Sequence, residues 1–416
     1  MKYRYRAAAL VMAAALLGGC SAAIPAGLIP GAGTTSPGPE TTVAPIPDKT
    51  PIPAAVPSLD RAEQVLATMT VREKVGQLFI IRPDSLDLTL PQEQINDAHT
   101  DGVTALSADR KATLVEYPVG GVAVFTKNIV DPAQLTSFLQ DLQQNSAISL
   151  FTGIDEEGGK ISRIANHAAF DVPQYESMEA IAATGDPSQA RSVGKTIGDY
   201  LLAYGLNLDF APDADVNTNP DNPVIGERAF GSDPKIAASM VAAEVEGLHE
   251  AGVMSAIKHF PGHGDTQTDS HYGYASSEKT WQEMQQCEML PFLSGIGAGT
   301  DMVMVAHITT PNVTDDGLPA SLSAQMITEK LREELGYNGV VITDSLAMEA
   351  ITDAYSAAEA AKMSFAAGAD ILLMPNGMTE AFDAIVDAVE SGEITEERLN
   401  ESVRRILKLK ENYGLL

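Results

Sequence analysis

Eight short apolar runs, separated by amphipathic stretches, constrain this chain more than any other feature. They are GQLFII (76–81), GGVAVF (120–125), SLFTGI (149–154), LNLDFAP (206–212), VMSAIKHF (253–260), DMVMVAHI (301–308), GVVIT (339–343) and ADILLMP (369–375). Each is rich in Val, Ile, Leu or Phe and follows a glycine or polar break, as buried parallel strands do. The stretches between them carry helix punctuation. Thr70 and Glu73 form a capping box, and so do Ser356 and Glu359. Asp131-Pro132 and Ser232-Asp233-Pro234 open helices, while Gly252 and Gly368 close them. Eight strands alternating with helices in 416 residues predict a single (β/α)8 barrel of the TIM type over 58–416. A doubly wound open sheet is the competing arrangement. Two intervals are long, 84–119 and 156–205, and the first reads as a surface insertion.

In such barrels the chemistry gathers where strands end. The polar residues following the runs are Asp155, then Asp213 and Asp215, then Lys258 and His259, then His307, Asp344 and Asn376. Charged and imidazole groups therefore share one rim, which suits acid–base work on a polar substrate. The segment KHFPGHGDTQTDSH (258–271) is broken by Pro261, Gly262 and Gly264, so it reads as a loop. His259, His263 and Asp265 within it are a conceivable ligand set for a metal, but without a helix the i, i+4 histidine pairing is lost. A serine nucleophile at Ser270 is too close in sequence to His271 to be activated by it. A self-bonded structural loop is a third possibility. The favoured reading is a carboxylate–imidazole dyad, with Asp269 orienting His271 as proton donor and acceptor. Asp344 at the end of GVVIT either caps the next helix or supplies a carboxylate that attacks an electrophilic carbon.

The N-terminus has a different character. Lys2, Arg4 and Arg6 precede an apolar run at 7–17, which is too short to span a bilayer, and then comes Leu17-Gly18-Gly19-Cys20. This resembles a bacterial lipobox. It predicts a signal peptide over 1–19, lipidation at Cys20, export, and anchoring to the outer face of the cytoplasmic membrane. Residues 20–57 are rich in Pro, Ala, Thr and Gly and read as a tether. The cysteine count is two, so no disulfide framework is expected, and Cys287 reads as a small buried helical residue. A net charge of -29 argues against nucleic-acid partners.

Taken together, KHFPGHGDTQTDSH and Ile342-Thr343-Asp344 resemble glycoside hydrolase family 3, within it the bacterial β-N-acetylglucosaminidases of single-barrel, lipoprotein form. Asp155-Glu156-Glu157-Gly158-Gly159 looks like the family's Asp-Gln-Glu-Gly-Gly stretch, with Glu156 in place of Gln. Ile225-Gly226-Glu227-Arg228-Ala229-Phe230-Gly231 resembles its Arg-Ser-Phe-Gly segment, with Ala229 for Ser. The resemblance implies a retaining exo-hydrolase in which Asp344 is the nucleophile and His271, paired with Asp269, is the acid/base. It implies sugar binding by Asp155, Arg163, Arg228, Lys258 and His259, with no metal or cofactor. With the export signal it points to peptidoglycan fragments carrying N-acetylglucosamine on N-acetylmuramic acid, handled by a monomer. Three rival readings stay open here: a phosphorylase on the same scaffold, catalysis assisted by the substrate's acetamide, and a non-catalytic sugar-binding lipoprotein.

Overall fold

A computed structural model describes residues 60–267 and 275–416. The segments expected to be a signal peptide (1–19) and a tether (20–57), with Cys20, and the expected catalytic pair Asp269 and His271 lie outside the described residues. The eight predicted strands all form: β1 (Phe79–Ile81), β2 (Gly121–Val124), β3 (Phe151–Ile154), β4 (Leu208–Asp209), β5 (Met254–Phe260), β6 (Met302–Val305), β7 (Val340–Thr343) and β8 (Leu372–Leu373). All pairings among them are parallel, running from β1 to β7 in chain order, with β8 against β1. A bridge between Ile342 and Ile371 joins β7 to the start of β8, closing the ring. The open-sheet alternative is thereby set aside. Every residue of these strands is buried, which is why each run is apolar on both faces of the pleat.

The helices begin and end where the punctuation places them. Thr70 accepts from the Glu73 backbone, and the Glu73 carboxylate accepts the Thr70 N–H at 2.7 Å. Asp131 and Asp233 cap Pro132–Gln144 and Pro234–Ala251. Gly252 ends the latter at φ 83°, a left-handed conformation open to glycine at little cost. Helices Pro187–Tyr204 and Pro234–Ala251 pack tightly through Gly194 and Gly247. A Cβ at Gly247 would sit 2.1 Å from the Arg191 carbonyl oxygen, and one at Gly194 would sit 2.4 Å from that of Glu244. Glycine lowers helix propensity by about 1 kcal/mol, and here it permits backbone contact.

Two expectations are corrected. Cys287 is half-buried at the break between helices Trp281–Gln286 and Met289–Gly297, not inside a helix. The 84–119 interval is no loose surface insertion. It contains the barrel helix Ala108–Glu116, and its earlier part is fastened to the strand ends. Asp84 is buried and accepts from the Val103 N–H (3.1 Å) and the Asn128 amide (2.8 Å). Lys127 donates to the carbonyls of Gln94, Ile95 and Asp97 at the C-terminal end of helix Gln92–Asn96, where the helix dipole favours a cation. Among the described residues no helix is long and apolar enough to cross a membrane.

Candidate active site

The C-terminal strand ends enclose a cavity of about 490 Å³. Asp155, Arg163, Arg228, Lys258, His259 and Asp344 all line it. These are all the substrate and catalytic residues expected from the sequence that fall among the described residues. Asn96 and Ala98 also line it, so the segment after β1 forms part of the wall. Asn96 donates to Asn376 after β8 at 2.9 Å, which ties that wall across the junction where the ring closes.

Each side chain is delivered by a strand end. Asp155 follows β3 and leads into a hairpin, Glu156–Gly158 with Ile161–Ser162, whose turn has Gly158 and Gly159 at φ 86° and 65°. Successive hairpin residues face opposite ways. Glu157 therefore shares the cavity side with Asp155, while Glu156 turns inward. Glu156 accepts the Ile164 and Ala165 N–H groups and the Tyr200 hydroxyl, each at 2.8 Å. A carboxylate at this position thus holds the loop that carries Arg163, and the departure from Gln leaves the cavity wall untouched.

Glu157 is the central anion, and sequence reasoning missed it. It is 1% exposed and takes two bonds from Arg228, Nε at 2.8 Å and the terminal nitrogen at 2.7 Å. Lys258 Nζ lies 2.6 Å from Glu157 and 2.7 Å from Asp155. Arg163 approaches Asp155 at 3.5 Å. Burial pushes Glu157 toward its neutral form, but Arg228 and Lys258 outweigh it and hold its carboxyl well below the usual range. Asp155 follows the same pattern: burial raises it, and Lys258 and Arg163 bring it below its ordinary value. Burial alone would lower Lys258 and Arg228, yet the facing carboxylates lift both above their ordinary values. The floor of the cavity is therefore a fixed network of two anions and two buried cations. Its donors are already aimed, which suits directional bonding to sugar hydroxyls.

His259 ends the strand beside Lys258. Its Nδ1 lies 2.8 Å from Asp215 Oδ2, and Asp215 Oδ1 accepts the His263 N–H at 2.5 Å. The acceptor role of Asp215 places the imidazole proton on Nδ1 and leaves Nε2 toward Arg228, 3.4 Å away. Burial, then the charge of Arg228, lowers His259 to about 4, so it is neutral at pH 7. Asp213, Asp215 and His259 offer atoms within 4.8 Å of one another, the one such group among the described residues that could hold a metal. The Arg228 guanidinium reaches two of the same residues, with Nε 3.6 Å from Asp213 and a terminal nitrogen 3.4 Å from His259 Nε2. The ligand set considered from sequence does not assemble, since Asp265 turns to Thr218 (3.2 Å) and Lys279 (3.4 Å). His307 is buried behind the turn that follows β7. Its Nε2–H donates to the Ser345 carbonyl at 2.8 Å and its Nδ1 meets the Ser321 hydroxyl at 2.6 Å, which steadies the turn after Asp344. Asp344 itself is half-buried at the end of β7 and accepts the Ser345 N–H at 2.7 Å.

Residues 70–409 match the family described as Glycosyl hydrolase family 3 N terminal domain. The chain belongs to glycoside hydrolase family 3. It is 36% identical over 333 residues to a Beta-hexosaminidase A of Pseudoalteromonas piscicida, covering 74% of this chain and 56% of that protein. The chain thus spans little more than half of that relative's length. A Beta-hexosaminidase of Stenotrophomonas maltophilia is 33% identical over 288 residues, covering 68% of this chain and 84% of the other. Among solved structures, a glycoside hydrolase family 3 β-N-acetylglucosaminidase from Paenibacillus sp. str. FPU-7 superposes with a TM-score of 0.76 at 37% identity, covering 84% of this chain and 63% of that one. In this family 3 barrel the cavity at the strand ends is the candidate active site.

Proposed function

We propose that this chain is a retaining exo-β-N-acetylglucosaminidase that removes terminal N-acetylglucosamine from peptidoglycan fragments in which it is β-linked to N-acetylmuramic acid. The observation carrying this reading is the convergence of Asp344 with Asp155, Arg163, Arg228, Lys258 and His259 on one cavity. Asp344 attacks C1 of the sugar, forming a glycosyl ester as the C1–O bond to the aglycone breaks. His271, oriented by Asp269, protonates the departing oxygen and then takes a proton from the water that cleaves the ester. The ion-pair network of Asp155, Glu157, Lys258 and Arg228 positions the hydroxyls of the bound sugar. Neutral His259 adds a directional donor or acceptor to it.

The lipobox supports export and anchoring through Cys20 to the outer face of the cytoplasmic membrane, where such fragments occur, with the chain acting as a monomer. Replacing Cys20 by Ser is then expected to move the protein from the membrane fraction to the soluble one. Release of N-acetylglucosamine from purified muropeptides, followed by proton NMR of the first-formed anomer, tests the reaction. The β-anomer is expected in phosphate-free buffer. No release from muropeptides defeats the substrate reading, and turnover that requires phosphate with sugar phosphate as product defeats hydrolysis. His271→Ala is expected to retain far more activity on an aryl glycoside with a good leaving group than on the disaccharide, because only the latter needs leaving-group protonation.

A further inference from the structure

Asp269 and His271 lie between β5 and helix Trp281–Gln286, and the chain on either side of them is fastened to the barrel. On the near side, the Thr266 carbonyl accepts from the amides of Asn219 (2.9 Å) and Asn222 (3.1 Å), both after β4. On the far side, Ala275–Ser276 pairs in parallel with Ile308–Thr309 after β6, and the Ser277 N–H donates to the Thr309 carbonyl at 3.0 Å. Residues 268–274 join these two stems. Lys279 draws the stems together. Its Nζ lies 3.4 Å from Asp265 on the near stem, donates to the Thr218 hydroxyl at 3.3 Å and bonds the Glu288 carboxylate at the start of helix Met289–Gly297. Asp265 in turn accepts the Ser277 hydroxyl of the far stem at 3.3 Å and the Thr218 hydroxyl at 3.2 Å. Glu288 is buried and packs against Gly262, where a Cβ would come within 2.5 Å of its Cγ. Burial opposes the charge of Lys279, but Glu288 and then Asp265 lift it above its ordinary value, so it stays cationic at neutral pH.

A surface ion pair contributes little, but this cation meets a buried carboxylate and acceptors on two further segments. A group that moves a proton must sit within hydrogen-bond reach of the oxygen it serves, and a displacement of about 1 Å can cost about 100-fold in rate. Fixed stems narrow the positions open to the residues between them. We infer that Lys279 is a positioning residue for the acid/base step: by tying Asp265, Thr218 and Glu288 together it sets the stems between which Asp269 and His271 lie. This rests on the reading of His271 as the acid/base. Lys279 is not among the residues lining the cavity, so its effect reaches the reaction through the stems.

The test compares kcat/KM for wild type, Lys279→Met, Lys279→Arg, the double variant Lys279→Met/Glu288→Gln, and His271→Ala. The substrates are chitobiose and dinitrophenyl N-acetyl-β-glucosaminide. Dinitrophenolate departs without a proton, whereas the sugar oxygen of chitobiose needs one. Thermal unfolding shows which variants are folded. The double variant leaves no buried carboxylate without its cation, and it carries the test where the single change unfolds. In both Met variants, kcat/KM on chitobiose is expected to fall about 10- to 100-fold and that on the aryl glycoside less than about threefold, a milder form of the His271→Ala pattern. Lys279→Arg, which keeps charge and reach, restores most of the chitobiose activity. Unchanged chitobiose turnover in either Met variant, or equal losses on the two substrates, overturns the inference. Full recovery in the double variant alone makes Lys279 a neutraliser of Glu288 and overturns it as well. A wild type that cleaves neither substrate, or equal losses on both in His271→Ala, overturns the acid/base reading itself.

Discussion

Glu157→Gln is the perturbation that strikes the site's electrostatics most directly. The change keeps shape and removes one charge, leaving Arg228 and Lys258 buried with less anion between them. Arg228 would keep only Asp213, at 3.6 Å, and Lys258 only Asp155, at 2.7 Å. The new amide also turns a donor toward a cation. Breaking a buried pair in this way costs about 3–5 kcal/mol. With an unfolding entropy of roughly 2.1 cal/mol/K per residue, a domain of this size shifts its Tm about 1–2 °C per kcal/mol, so a fall of about 4–8 °C is expected at pH 7. The pH sign follows from the depressed carboxyl. Glu157 contributes stability above its unfolded value of 4.5 and loses it as pH falls toward the lower folded value. The gap between wild type and variant should therefore hold from pH 8 to 6 and narrow below about pH 4.5. Kinetically, kcat/KM should drop at least about tenfold, since both cations lose their shared anchor. A cycle with Lys258→Met isolates the coupling: removing anion and cation together should cost at least about 2 kcal/mol less than the sum of the single changes. Calorimetry and urea unfolding on the four proteins measure this. Additivity within about 0.5 kcal/mol would refute the network as drawn.

Other sites yield sharper pH signatures. Lys410 is fully buried, with only neutral acceptors: Gln77 Oε1 at 2.7 Å and the Gly120 carbonyl at 2.9 Å. Burial lowers it from 10.5 to about 7, so the native state pays its full cost below pH 7 and recovers as pH rises toward 10.5. Lys410→Met should therefore be the more stable protein at pH 6 by about 2–3 kcal/mol, after the lost hydrogen bonds, and the advantage should shrink by pH 9.5; constant differences in urea unfolding would count against it. Glu244 is 1% exposed, with neither carboxyl oxygen bonded among the described residues. Burial raises it well above 4.5, so wild-type stability should fall with pH above 4.5 as the unfolded chain ionises and the native one does not. Glu244→Gln should flatten that slope in Tm measured from pH 5 to 8, and parallel curves would contradict the assignment.

The barrel was legible because its strands are buried on both faces and its helices carry strong caps. Periodicity and punctuation then point to one answer. The rim rule also found the cavity, since polar residues that follow apolar runs must face the strand ends. Arg82 follows the first run as directly as Asp344 follows the seventh, and the same rule selects it. Glu157 was missed because two adjacent glutamates look alike in sequence. The alternation of a short hairpin strand, counted from Asp155, assigns Glu157 to the cavity and Glu156 to the interior. Other features were beyond local pattern. Nothing near Lys127 tells that it caps a helix 30 residues upstream, so the 84–119 interval read as an insertion. Gly194 and Gly247 look like helix weaknesses until the facing backbone is seen.

The covalent role proposed for Asp344 is open to direct chemical trapping. A fluorinated N-acetylglucosaminyl fluoride that glycosylates the enzyme quickly and leaves slowly tests it, read by mass spectrometry of the digested protein. One sugar per chain is expected, on the peptide containing Asp344 and on that side chain, with no adduct in Asp344→Asn. A sugar attached to any other residue, or labelling that persists in Asp344→Asn, would contradict it.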